Sequence, residues 1–283
     1  MQIDRQTVQL EITPSGIHRP GLGFAGKIRR LWRDLYCVLS LVRLSLHQEV
    51  FGLTFGHVWH VLEPALQALA YFILISVVFR AGGVDTTFAF FFCGVTFWRS
   101  HSTIVCAGPT FFFSRATQYI QSSLPLYIAY LELFVSEFVL FLLRFSMLCL
   151  FIAGAGYPPE WTWSLGIAIA CIQFVFSMAL SVWLSFFGAY FKDLGKFVGH
   201  IVWFWWYISP GLYSFNRIPD WARPFYELNP FAQLLPAIQS VMLRGELPHN
   251  ALGLAVVFIA SLLILWMGAV LINRTAYKLY RDL

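Results

Sequence analysis

The first pattern that invites a chemical reading is Gly21 to Lys27 (GLGFAGK), which has the GxxxxGK spacing of a phosphate-binding loop. Such a loop needs Ser or Thr next, to hold Mg²⁺, and an apolar strand before it. Ile28 stands at the first place and His18-Arg19-Pro20 at the second. The segment is therefore not read as a nucleotide site. If ATP drives this protein, a partner ATPase must bind the ATP and Mg²⁺, and no cofactor is expected in this chain. Cys37, Cys93, Cys106, Cys149 and Cys171 form no CxxC pair, so neither a zinc site nor a disulfide framework is indicated. His57, His60, His101 and His200 show no ligand spacing, so no metal is expected. No Ser/His/Asp or Cys/His set can be assembled, so no catalytic residue is expected and the chain does not read as an enzyme.

Four ionisable residues sit inside long apolar runs: Arg99, Glu132, Glu137 and Arg144. Charge at membrane depth is costly and marks a functional candidate. Arg99 and Glu132 are expected near the membrane interfaces, where a charge costs little. Glu137 and Arg144 are seven apart, so they share a helix face without touching directly. Structural pairing and a substrate or proton role both stay open. Aromatic side chains crowd Trp203, Phe204, Trp205, Trp206 and Tyr207. Two readings compete: a belt at the membrane interface, or a conduit on which sugar C–H faces stack.

The elements that hold these residues are membrane helices. The sequence is 59% hydrophobic and only 12% charged, with mean hydropathy +0.69. A soluble domain carries roughly 25% charge. Lipid needs ~20 apolar residues per helical crossing. Six runs approach this: Val58–Phe79, Phe88–Ala107, Leu126–Ala153, Trp163–Phe191, Phe197–Leu212 and Leu252–Ile272. The fold expected is all-α and polytopic, since exposed backbone cannot be satisfied in lipid. The fifth run is short and ends at Ser209-Pro210-Gly211. Residues 1–26 are polar and show no cleavable signal, so the first span is expected to direct insertion.

Lys and Arg set orientation. With the N-terminus inside, thirteen fall on inner segments, and Arg80, Arg217, Arg223 and Arg244 on outer ones. Both termini are then cytoplasmic. The net charge of +5 is read as orientation, not as nucleic-acid binding. Lys27 to Leu46 reads as an amphipathic helix, with Ile28, Leu31, Trp32, Leu35, Leu39, Val42 and Leu46 at helical spacing. Tyr213 to Asn250 carries five prolines. Within it Phe231, Leu234, Leu235, Ile238, Val241 and Met242 follow a helical period. That stretch is too short to cross, so a re-entrant or interfacial helix is expected, with a second short helix at Asp220–Tyr226.

These features carry a resemblance. Gly52 to Trp59 with Leu62-Glu63-Pro64 before and into the first span, Phe191-Lys192-Asp193 after the fourth, Ile208-Ser209-Pro210, and Leu228-Asn229-Pro230 stand in order. Together they resemble the ABC-transporter permeases that export lipid-linked polysaccharides: capsule, O-antigen and teichoic-acid exporters. The Leu-Glu-Pro form resembles capsule exporters most. Two places depart from the pattern: His47-Gln48-Glu49, where the family has basic residues, and Arg99, where its second span is apolar.

The resemblance implies an inner-membrane subunit of an ATP-driven exporter. It implies a homodimer docked on two ATPase subunits, moving a lipid-linked polysaccharide, with a periplasmic adaptor as a further partner. The chain then divides into a polar tail (1–26), an interface helix with its motif (27–57), a six-span domain (58–272) and a cytoplasmic tail (273–283). Phe113–Leu124 resembles the coupling segment, with Arg115, Thr117 and Gln121 toward the ATPase. The segment 213–250 resembles an outer gate, with Asp220, Trp221, Asn229 and Pro230. The first and fifth spans line the conduit, with Tyr71, Trp203, Trp206 and Tyr207 as its aromatic contacts. An ion-coupled carrier and a membrane-embedded glycan or acyl transferase are the competing classes.

Overall fold

The computed structural model describes residues 11–13, 16–18, 24–51, 54–80, 87–114, 125–213 and 218–282. Two short strands, β1 (Glu11–Thr13) and β2 (Gly16–His18), pair antiparallel with Ile12 opposite Ile17. Among the described residues, the regular elements after them are all helical. The order is α1 (Phe24–Val50), α2 (Trp59–Phe72), α3 (Phe88–Ala107), α4 (Leu126–Gly154), α5 (Trp163–Tyr190), α6 (Leu194–Ile208), α7 (Arg223–Glu227), α8 (Pro230–Gln239) and α9 (Ala251–Asp282). A 3-10 turn leads into α2, and wider π-turns continue α2 through Val78 and α8 through Arg244.

Four helical stretches are long and apolar enough to cross a membrane: Gly56–Val78, Leu126–Gly154, Trp163–Tyr190 and Ala251–Thr275. They match the expected first, third, fourth and sixth spans. The expected second is α3, whose apolar run is broken by Arg99, Ser100, His101, Ser102 and Thr103. The expected fifth is α6, with bounds shifted to Leu194–Ile208. Its 15 residues rise about 22 Å at 1.5 Å each.

Helix α3 is the centre of the bundle. All ten residues from Ala89 to Trp98, and Ser100, His101, Ile104 and Val105 beyond, are buried. A helix apolar on all sides belongs inside. It packs against α2, α4, α5, α6 and α8, while α9 runs along α5 and α1 along α4. Between lipid-embedded helices there is no hydrophobic drive, so close packing must hold them. The turn after α3 shows how close. A Cβ on Gly188 of α5 would lie 2.0 Å from the Pro109 carbonyl oxygen, so only glycine fits there.

Helix α1 is longer than the expected Lys27–Leu46. Val38 and Val42 bury against Ile128 of α4, and Asp34 accepts a hydrogen bond from Tyr127 Oη. Leu31, Trp32, Leu35, Tyr36 and Leu39 stay exposed. An exposed apolar face on a basic helix suits a membrane surface.

The segment after α6 forms the two short helices, the first with an altered start. The first begins beside Pro224 rather than Pro219, and the second begins at Pro230 as expected. Proline suits these places because a first-turn N–H has no intrahelical partner. The periodic residues of α8 do not face a membrane surface. Phe231, Leu234, Leu235, Ile238, Val241 and Met242 are all buried, against α3 and α5.

Candidate functional site: an aromatic groove over a polar core

Helix α6 is two-faced. Val198, Val202 and Trp206 are buried, and Trp205 is mostly so, whereas Trp203, Phe204 and Tyr207 are exposed. Across from it, Tyr71 of α2 lies 6.0 Å from the Trp206 ring, centroid to centroid. Between the two helices opens a cavity of about 560 Å³ lined by Tyr71, Leu74, Ile75, Phe79, Tyr207, Leu212 and Tyr213. Its walls are apolar side chains with phenol oxygens at intervals. That surface can stack a sugar face and offer hydroxyl groups to its edge.

Trp206 departs from expectation. As an aromatic contact of the conduit it should be open like Trp203 and Tyr207, yet it is 2% exposed. A helix turns about 100° per residue, so Tyr207 and Trp206 point apart while Trp203 and Tyr207 nearly align. The Trp203 and Tyr207 rings touch edge-on at 4.9 Å. Trp206 instead fills a socket made by two glycines. A Cβ on Gly211 would sit 2.4 Å from its ring, and one on Gly94 would sit 3.4 Å away. Trp206 thus stands behind the groove wall and supports Tyr71.

Beyond the groove, two motifs of the sequence meet. Asn229 Oδ1 accepts from Trp205 Nε1 at 3.0 Å and from the Phe231 backbone N–H at 3.0 Å, capping α8. Asn229 Nδ2 donates to Ser209 Oγ at 3.1 Å. The end of α6 and the start of α8 are held by one side chain. Pro230 follows as the first residue of α8. Tyr213 and Tyr226 share a hydrogen bond of 2.7 Å, and burial together with the second phenol pushes the Tyr213 pKa up. Asp220 pairs with Arg223 at 2.9 Å in the open, and Trp221 is 77% exposed.

The intramembrane charges are brought together more than their spacing foretold. Arg144 donates to Glu137 directly, both being almost fully buried. The expectation that residues seven apart do not touch fails because a helical side chain leans toward the N-terminus and arginine is long. Arg144 also donates to Ser100 Oγ of α3 at 2.8 Å. Glu132 accepts from Ser136 at 3.3 Å. Arg99 pairs with Glu63 of the Leu-Glu-Pro motif at 2.7 Å. Two further ties escaped the sequence reading. His101 Nδ1 lies 2.8 Å from Ser177 Oγ, and Gln173 Nε2 donates to the Phe97 carbonyl at 2.6 Å. The signal for them was the polar run from Arg99 to Thr103 inside an apolar helix.

Arg115, Thr117 and Gln121 lie outside the described residues. The root of their segment is anchored. Phe111 stacks on Tyr130 at 4.0 Å, and Lys192 Nζ stands 5.9 Å over the Phe113 ring.

Comparison with known proteins fits this architecture. The family model described as ABC-2 type transporter matches residues 24–243, from α1 through α8. An O-antigen export system permease protein RfbA of Myxococcus xanthus is 28% identical over 246 residues, spanning 85% of this chain and 94% of that protein. A Klebsiella pneumoniae protein of the same name is 23% identical, over 87% of this chain and 93% of its own. A match across three-quarters of the residues, in a chain whose long apolar helices suit a membrane, places the protein: it belongs to the ABC-2 type transporter family.

Proposed function

We propose that this chain is the membrane-spanning permease subunit of an ATP-driven exporter that moves a lipid-linked polysaccharide of the O-antigen kind across the bacterial inner membrane. The observation that carries the reading is the near end-to-end likeness to O-antigen export permeases. It favours an O-antigen over the capsular glycan that Leu62-Glu63-Pro64 led one to expect. In this reading α3 and α6 complete six spans, with both ends cytoplasmic by the count of basic residues. Two copies enclose the path, and separate ATPase subunits bind ATP and Mg²⁺. The segment 113–124 meets the ATPase, and α7 and α8 form the outer gate, with Asp220, Trp221, Asn229 and Pro230.

The groove between α2 and α6 supports the conduit. A polar polymer must bind weakly at many places so that it can also leave. Aromatic faces supply contacts of about 1 kcal/mol each. Tyr71, Trp203 and Tyr207 are the touching residues, and Trp206 is their support. The buried pairing of Glu137 with Arg144 speaks against an ion-coupled carrier, since neither charge is open to a travelling ion.

Deleting the gene in its host should strip the O-antigen from the surface and accumulate lipid-linked glycan inside. The wild-type chain should restore both. Unchanged surface glycan, with export of some other solute lost, would overturn the reading.

A further inference from the structure

Glu63, Gln67 and Tyr71 stand four residues apart on α2, one above another. Beside them on α3, which is buried on most sides, Arg99 and Ser102 are partly open and Thr103 is exposed. The Arg99–Glu63 pair forms at 2.7 Å with the two side chains 38% and 53% exposed. Gln67 Nε2 donates to Tyr71 Oη at 3.1 Å, and Thr103 Oγ1 donates to the Arg99 carbonyl at 3.0 Å. The neighbouring open residues of α2, Leu66, Leu69, Ile73 and Leu74, are apolar.

Contrary to the expectation of an interfacial Arg99, this polar strip stands at the wrong depth for lipid. Arg99 lies eleven residues into α3, counted from Phe88. At 1.5 Å per residue that is about 16 Å, near the middle of a ~30 Å hydrocarbon layer. Hydrocarbon cannot solvate an open ion pair or a free amide edge. The strip must therefore face water or a polar cargo. It also leads into the aromatic groove, because Tyr71 belongs to both.

We propose that Glu63, Gln67, Arg99 and Thr103 form a binding strip for the uncharged, hydroxyl-rich part of the glycan, below the stacking groove of Tyr71, Tyr207 and Tyr213. The inference rests on the export reading above and assigns the groups that hold the sugar. A carboxylate accepts from sugar hydroxyls, while the guanidinium and amide donate to them. Glu63 and Arg99 neutralise each other, so the strip suits neutral sugar rings and not the phosphate of a lipid anchor. The ion pair can trade its mutual bond for bonds to hydroxyls and leave no charge unpaired.

The test has two arms. In the first, Glu63→Leu and Arg99→Leu are combined. Replacing both members of a pair by apolar residues leaves a fold near neutral in stability. The double variant should assemble with the ATPase in normal amount yet export glycan about tenfold more slowly, the worth of one charge-assisted hydrogen bond. In the second arm, Thr103→Cys and Leu263→Cys, the latter on the exposed face of α9, meet a charged methanethiosulfonate in membranes. Labelled peptides are read by mass spectrometry. Thr103→Cys should label at least about tenfold faster, since the thiolate and the reagent both need water. Wild-type export by an assembled double variant overturns the strip, as does equal labelling at the two positions. If the double variant fails to assemble, labelling alone decides. Failure of the export reading looks different: the wild-type chain then moves no glycan, whatever the labelling.

Discussion

Asn229 is the place where a single side-chain amide can be removed with a calculable effect on the helices that follow α6. Its Oδ1 takes hydrogen bonds from Trp205 Nε1 and the Phe231 N–H, and its Nδ2 gives one to Ser209. Asn229→Ala deletes an N-cap, which costs about 1 kcal/mol. It also leaves a part-buried indole N–H without its acceptor, which costs about 1–3 kcal/mol. Docking of α8 should therefore weaken by about 2–4 kcal/mol. At 1.4 kcal/mol per factor of ten, local opening should become about 30- to 700-fold more frequent.

Amide exchange in the lipid-embedded protein reads that quantity, because protection reports local opening. Peptides covering Phe231–Arg244 should exchange faster in Asn229→Ala by this factor, while α4 and α5 stay unchanged. Asn229→Asp keeps both acceptor roles and adds a charge favoured at a helix N-terminus, so it should stay near wild type. Trp205→Phe removes one donor and keeps the ring, so it should cost less than Asn229→Ala. Equal exchange in Asn229→Ala and wild type, or equal loss in the Asp and Ala variants, would refute the latch.

Three further outcomes follow from the same geometry. Trp206→Ala empties the socket over Gly94 and Gly211 and should cost about 3–5 kcal/mol, read as lost assembly in detergent, whereas Trp203→Ala and Tyr207→Ala should assemble normally and export less. Arg144→Met should destabilise by about 3–5 kcal/mol because Glu137 is left buried alone, and adding Glu137→Leu should recover most of it in thermal unfolding. A periplasm-active reporter should be silent after Leu283 and active near Gly156 or Pro248; the reverse pattern would invert the topology.

How much of this was legible in the sequence depended on what kind of information each feature carries. The period of Phe231 through Met242 foretold a helix there, but not that Ala232, Ala237, Gln239 and Leu243 on its other sides would be buried as well. It could not say against what, and the surface expected there turned out to be α3. Ser209 and Asn229 are visible as two motifs, yet their hydrogen bond joins residues twenty apart, which no spacing rule describes. Glu63 and Arg99 were noted separately, one in a motif and one as a departure, and proved to be one ion pair. Trp206 was misread because five consecutive aromatics carry no period. The usable clue was elsewhere, in Gly94 and Gly211, whose missing side chains make room for an indole.

The distribution of polar ties suggests how the groove can open without the bundle coming apart. In lipid, a cross-helix hydrogen bond adds about 0.6 kcal/mol, so several are needed to fix one helix on another. Helix α3 has them: Ser100 with Arg144 of α4, His101 with Ser177 of α5, and the Phe97 carbonyl with Gln173 of α5. Toward α6 its contacts are aromatic, as Trp98 meets Trp205 and Trp206 with ring centroids 6.1 and 5.2 Å apart. Such contacts hold over a range of angles, where a short hydrogen bond does not. Toward α2 it offers the half-exposed Arg99–Glu63 pair. The buried directional bonds thus tie α3 to α4 and α5, whereas toward the two walls of the groove α3 has aromatic contacts on α6 and one half-exposed ion pair on α2. In the export reading proposed above, a conduit that admits and releases a polymer would draw on that division: a fixed, buried centre and walls whose contacts can be exchanged.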